Sequence, residues 1–125
     1  MTFSLPWPPS TNHAYATVRG RRVKTAAARA YALEVAYRVA DYQRTDEQPP
    51  ENLTSERLKV RIVAHAPDNR RRDLSNLEKI ATDAVFKQLG LDDSQVDHLE
   101  ITRGAKSRNG GSLTYTLTPD DKAPF

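Results

Sequence analysis

Apolar and polar residues alternate between Glu56 and Ala66. One side of this segment carries Leu58, Val60, Ile62 and Ala64, and the other carries Lys59, Arg61 and Val63. A period of two with many β-branched side chains predicts a strand that buries one face. The segment ends at Pro67, so the predicted strand leads directly into the residues that follow this proline.

Three more segments have the pattern of strands. Thr2 to Leu5 is short and stops before Pro6, because proline cannot donate to a sheet ladder. VDHLEITRGAK and SLTYTLT alternate on either side of the turn signal Asn109-Gly110-Gly111. A turn between two alternating segments predicts that they pair as a hairpin.

Helical spacing replaces alternation in two other segments. Tyr31, Val35, Val39 and Tyr42 predict a helix that is capped by Thr25 and runs to about Arg44. The second helix begins at Asp73 and stops at Gly90, with its core-facing side formed by Leu74, Leu77, Ala81 and Ala84. The basic segment YATVRGRRVK predicts a hairpin or irregular loop that turns near Gly20.

This order of elements predicts an α+β fold in which two helices pack on one small mixed sheet. The polar segment TDEQPPENLTSE is expected to be a loop, and PDDKAPF a frayed tail. With 125 residues and no internal repeat, residues 1–125 are expected to form one domain.

The polar face of the second helix carries the candidate chemistry. Within an arc of about 120° lie Asp73, Asn76, Lys79 and Asp83. Asp92 and Asp93 follow Gly90, beyond a helix about 24 Å long. They reach Asp73 only if the returning chain folds over this face or a second subunit contributes. Carboxylates beside basic groups suit a phosphate and a divalent cation, although each residue alone is also ordinary on a solvated helix.

Composition narrows the functional classes. The chain has no cysteine, and its three histidines lack the spacing of a zinc site. No apolar segment is long enough to cross a bilayer, so a cytoplasmic location with no membrane partner is expected. The net charge of +3 is concentrated in three basic clusters. These are Arg19/Arg21/Arg22/Lys24, Arg70/Arg71/Arg72 and Arg103/Lys106/Arg108, and they predict either phosphate contacts or simple solubility.

The motifs RRRDLSNLEKIATDAV and LDDSQV, together with the opening LPWPPSTN, resemble the RusA family of Holliday junction endonucleases. The resemblance implies a homodimer that cuts four-way DNA junctions with Mg²⁺, for which Mn²⁺ would substitute. It implies Asp73, Lys79 and Asp93 as catalytic residues, and Asp73, Asp93, Asp83 and Asp92 as metal ligands. The residues expected to bind DNA are Arg70, Arg71, Arg72, Asn76, Arg21, Arg22, Lys24, Lys106, Arg108 and Asn12.

Ser75 departs from the family pattern, which commonly has an acidic residue at this position. A hydroxyl is a weaker ligand than a carboxylate for a hard cation. Ser75 either binds through water, or Asp83 or Asp92 substitutes, or the site is weakened. We expect substitution by a neighbouring aspartate. A branched-DNA binder without catalysis is the alternative function, and a basic protein with an RNA or protein partner is a third.

Overall fold

The computed structural model describes residues 1–10, 15–45 and 53–120. The elements are β1 (Thr2–Pro6), β2 (Tyr15–Val18), β3 (Arg21–Lys24), α1 (Ala26–Thr45), β4 (Leu58–His65), α2 (Leu74–Leu89), β5 (Val96–Arg103) and β6 (Ser112–Pro119). Short 3₁₀ turns lie at Leu53–Ser55 and Asp93–Gln95. The predicted α+β class is therefore confirmed. Most of the predicted loop after α1 and most of the C-terminal tail lie outside the described residues.

The main sheet has four strands in the order β1-β6-β4-β5. β6 is antiparallel to both β1 and β4, whereas β4 and β5 are parallel. The crossover from β4 to β5 runs through α2, as parallel neighbours require. The end of β4 thus delivers the arginine-rich segment to the start of α2.

The prediction that β6 is the hairpin partner of β5 is wrong, because β4 lies between these two strands. The chain after β5 crosses the end of β4 before it turns into β6. During this crossing the amide of Gly104 donates to the carbonyl of Ala64 at 3.0 Å, and the amide of Ser107 donates to that of Ala66 at 2.9 Å. The sequence at Gly110 correctly predicts a turn before β6. It does not determine which strand β6 pairs with, because β4 lies between β5 and β6.

Both helices pack on one face of this sheet, and the buried side chains form one hydrophobic cluster. The predicted inner face of β4 is confirmed, since Leu58, Val60 and Ile62 are all fully buried. α1 contributes Val35 and Val39, also fully buried. The buried hydroxyl of Thr82 on α2 is paired with that of Tyr115 on β6 at 3.0 Å, which offsets the cost of removing both from water.

Local chemistry sets the helix ends where the sequence placed them. The Thr25 hydroxyl accepts from the amide of Ala28 at 3.3 Å at the start of α1. Asp73 is the N-cap of α2, and Gly90 ends it in the left-handed conformation with φ 70°. No helix in the described part of the chain is long and apolar enough to span a bilayer.

Candidate functional site

Asp73 lies where the segment after β4 enters α2. Its Oδ1 atom accepts from the amide of Ser75 at 3.3 Å and from the hydroxyl of the same residue at 2.9 Å. A carboxylate in this position satisfies a free amide and interacts favourably with the helix dipole. Ser75, the residue that departs from the family pattern, is thus tied to the first candidate metal ligand.

The three arginines before Asp73 have different surroundings. The Arg72 side chain is only 18% exposed and contacts Asp68 Oδ1 at 2.8 Å. Its guanidinium lies 5.3 Å from the centre of the Trp7 ring. The hydrogen bond from Arg72 is the main reason that the pKa of Asp68 is lowered. The Arg70 side chain, by contrast, is 84% exposed. Arg72 therefore holds the segment, while Arg70 and Arg71 face solvent.

A cavity of about 250 Å³ opens beside the N-terminus of α2. Its lining residues are Pro9, Ser10, Arg71, Arg72, Asp73, Asn76 and Leu77. An adjoining open depression is shared by Arg71, Asp73 and Arg103. Arg103 also donates to the carbonyl of Arg72 at 2.7 Å. Arg103 of the third basic cluster therefore lies beside Arg71 and Arg72 of the second. The Asp73 carboxylate and the Asn76 amide lie next to these arginines.

Lys79 and Asp83 form the middle of the polar face of α2. The ammonium of Lys79 is 3.9 Å from Asp83 Oδ2, and the Lys79 side chain is 67% exposed. Asp83 also lines a groove with Lys24 of β3 and with Tyr15 of β2. The hairpin and the polar face therefore meet at this aspartate.

Glu78 was not predicted from the sequence, yet it lies among the candidate residues. Burial raises its pKa, and the charges of Asp83 and Asp93 raise it further. A hydrogen bond with Thr82 and the charge of Lys79 act in the opposite direction. Its spacing of three residues from Ser75 places it on the same side of the helix, which was the signal available in the sequence.

Asp92 and Asp93 lie in the short turn after α2. The side chain of Asp92 accepts from the amide of Ser94 at 2.9 Å, and this bond is the first cause of its lowered pKa. Asp93 is exposed. Its negative charge makes a small contribution to the raised pKa of Glu78 in the N-terminal half of α2. After this turn the chain enters β5, which pairs in parallel with β4. That Asp73 and Asp93 share one cation remains a prediction.

The other predicted DNA contacts are on the surface. Arg21, Arg22 and Lys24 are exposed on β3, and Lys106 and Arg108 are exposed on the segment between β5 and β6. His65 fixes that segment, with Nδ1 donating to the carbonyl of Ala105 at 2.8 Å. Asn12 lies outside the described residues.

A family model described as "Endodeoxyribonuclease RusA" matches residues 6–114. The chain belongs to the RusA family. The crossover junction endodeoxyribonuclease RusA of Escherichia coli K12 is 39% identical over 121 residues, which cover 94% of this chain and 92% of that protein. The relative of the same name from Enterobacteria phage 82 is 39% identical over 119 residues, covering 92% and 91% of the two chains.

A third relative, from Shigella sonnei strain Ss046, is 38% identical over 121 residues and covers 94% of this chain and 92% of its own. The resemblance seen in the motifs is therefore confirmed over residues 6–114, and these relatives are named as endonucleases. The family membership places this chain among enzymes that cut DNA.

The resemblance to the RusA family implies a metal ion held by carboxylates of this chain. Among residues 1–10, 15–45 and 53–120, no three or more His, Cys, Asp or Glu side chains form a group that could hold a metal ion. The candidate ligands are carboxylates, which suit a hard cation. Mg²⁺ usually keeps several waters and binds one or two carboxylates together with substrate phosphates. The residues therefore fit Mg²⁺ held jointly with DNA, and do not form a closed protein cage.

Proposed function

We propose that this protein is a Mg²⁺-dependent endonuclease that cuts four-way DNA junctions. The observation that supports it best is the cavity in which Asp73 and Asn76 lie beside Arg71 and Arg72. Cations and the N-terminus of a helix attract a phosphate, and a carboxylate at the same place gives a cation a ligand. The RusA relatives are named as crossover junction endodeoxyribonucleases, and this supports branched DNA as the substrate.

Each residue has a distinct role in this proposal. Asp73 and Asp93 would hold the metal, with Asp83 and Asp92 as further candidates. When bound, Mg²⁺ activates water and neutralises charge on the phosphate oxygens. Arg71 binds a phosphate of the DNA backbone, and the side-chain amide of Asn76 contacts the backbone within the same cavity.

Lys79 is proposed to stabilise the negative charge that develops on the phosphate. Asp83, at 3.9 Å from the ammonium, orients this flexible side chain along the polar face. A cation near the reacting phosphate stabilises the negative charge that develops in the transition state.

A junction that is cut in two strands needs two sites, and a two-fold homodimer provides them. Light scattering on the purified protein is expected to give about twice the chain mass of 14.0 kDa. A mass of one chain under cleavage conditions would contradict the dimer.

The direct test uses an end-labelled synthetic four-way junction and a linear duplex of the same sequence. With Mg²⁺ the protein should nick two opposite strands of the junction and leave the duplex intact. With EDTA it should bind the junction without cutting it. Equal cutting of both substrates, or cutting that persists in EDTA, would contradict the proposal.

The bond from the Ser75 hydroxyl to Asp73 supports a second candidate function. A serine in this position adds no charge to the site, so the protein would then bind branched DNA without cleaving it. Ser75→Asp distinguishes the two candidates. A large rise in Mg²⁺-dependent cutting from an inactive wild type would favour the binder, while little change from an active wild type would favour the nuclease.

A further inference from the structure

β2 and β3 form a two-stranded ribbon that is separate from the main sheet. Val18 pairs with Arg21, so the loop between the strands consists only of Arg19 and Gly20. Every residue from 16 to 24 is exposed. An antiparallel ribbon with so little of its surface covered has its side chains available to a partner.

The two faces of the ribbon differ. Residues that pair across antiparallel strands point to the same side, so one face carries Tyr15, Thr17, Arg22 and Lys24. This face is turned toward the helices, because Tyr15 and Lys24 line the groove that includes Ala28 and Asp83. The Arg22 guanidinium packs 4.4 Å from the centre of the Tyr15 ring. The base of the ribbon is thus anchored beside α2.

The opposite face is outward and mostly apolar. It consists of Ala16, Val18, Arg21 and Val23. Val18 is 52% exposed and Val23 is 40% exposed. Small apolar side chains next to one arginine form a narrow surface that is complementary to a partner with both methyl groups and acceptor atoms.

The positive charge of the ribbon favours a negatively charged partner. Residues 15–24 include no acidic side chain, and of their four cations Arg21 lies on the outward face and Arg19 at the tip. Arg19 at the tip has a φ of 52°, a conformation that bulky residues rarely adopt. Asparagine fits such a turn with less strain, so this sequence retains a cation at the tip despite an unfavourable backbone. A polyanion is therefore favoured over a neutral protein surface.

We propose that the β2–β3 ribbon enters the major groove of a duplex arm of the bound DNA, with Ala16, Val18, Arg21 and Val23 against the base edges. The inference rests on the proposed function for the identity of the substrate. The major groove is about 12 Å wide and admits a two-stranded ribbon. Arg21 would donate to guanine acceptors, and the two valines would contact thymine methyl groups.

The test measures binding by fluorescence anisotropy in EDTA, which separates it from cleavage. Junctions in which 7-deazaguanine replaces guanine lack the N7 acceptor in the major groove. The wild type should bind them about tenfold more weakly than unmodified junctions. Arg21→Ala should bind unmodified junctions about tenfold more weakly and show no further loss on the modified ones.

A matched control is Arg44→Ala, which removes an exposed cation at the other end of α1. This variant should retain both the affinity of the wild type and its sensitivity to 7-deazaguanine. Arg19→Asn provides a second test at the tip: it should not lower the melting temperature, yet it should weaken binding.

Each contrary outcome has a separate meaning. Equal wild-type affinity for both junctions would overturn the ribbon inference and leave normal cleavage untouched. An Arg21→Ala protein that binds DNA normally but changes its mass in solution would assign the ribbon to a subunit interface instead. Groove-dependent binding without Mg²⁺-dependent cutting would overturn the proposed function alone, and no DNA binding at all would overturn both.

Discussion

Arg72 shows how a single residue of a charged run can have a structural role. Its guanidinium is engaged with Asp68 and lies over Trp7, and its own carbonyl accepts from Arg103. The sequence predicted three equivalent DNA-binding arginines at 70–72. It contained no sign of this difference, because Trp7 and Arg103 reach the segment only through the fold. That Arg72 also contacts DNA stays a prediction.

Asp68→Asn tests this support through its dependence on pH. The lowered pKa of Asp68 means that its carboxylate contributes stability above the usual aspartate range, and that this contribution is lost as pH falls through the lowered value. The variant should therefore melt at a lower temperature than the wild type at pH 7, and the difference should shrink in acid.

The measurement is thermal unfolding across a series of pH values. Glu56→Gln, a change at an exposed carboxylate, is the control and should show no comparable effect. A gap between Asp68→Asn and the wild type that stayed constant down to strongly acidic pH would show that the ion pair does not support the segment.

At the scale of elements, local signals were sufficient for the helices but not for the sheet. Asp73 and Gly90 bound α2 because capping chemistry acts within a few residues. The pairing of β6 with β4 joins segments far apart in the sequence, and the alternation of SLTYTLT is equally compatible with β5 as a neighbour. The choice was decided by α2, which places β5 parallel to β4 at the edge of the sheet.

Gly111→Ala tests the crossing of the chain between β5 and β6. A Cβ atom there would lie 2.8 Å from Pro67 Cδ and 3.0 Å from Trp7 Cε3, in addition to the strain of a φ of 81°. Steric overlap and backbone strain together should lower the free energy of unfolding by about 3 kcal/mol. Chemical denaturation measures this value.

Gly110→Ala is the matched control, because its φ is 90° but a Cβ atom there would meet nothing within 4 Å. It should cost only about 1 kcal/mol for the backbone. Equal losses in the two variants would show that the packing of Gly111 on Trp7 and Pro67 does not hold this segment in place.

Across the whole molecule, basic residues from separate segments converge near Asp73. Arg71 and Arg103 share one depression, although they come from different sides of α2 in the sequence. The clusters and a shared basic surface could be inferred from the sequence, but not that Arg103 is the side chain that meets Arg71 and Arg72. The spacing of Glu78 from Ser75 was visible in the sequence, but its burial, the main cause of its raised pKa, depends on the packing of the fold.

Arg71→Ala should weaken junction binding to a similar extent on all sequences, because a phosphate contact carries no base information. The slope of log affinity against log salt concentration should fall by about one unit. Titrations at several salt concentrations measure this slope, with Arg44→Ala as a control of equal charge. An unchanged slope in Arg71→Ala would remove this residue from the DNA-binding surface.

The proposed nuclease function requires the Asp73 carboxylate to belong to a metal-dependent cleavage site. Asparagine also caps helices well, so Asp73→Asn should preserve α2 while removing the charge. The decisive measurement is the single-turnover cleavage rate of a labelled four-way junction with Mg²⁺, alongside junction binding in EDTA. We expect the Asp73→Asn rate to be at least about a hundredfold lower than that of the wild type, with binding retained. Cleavage by Asp73→Asn at the wild-type rate would contradict it.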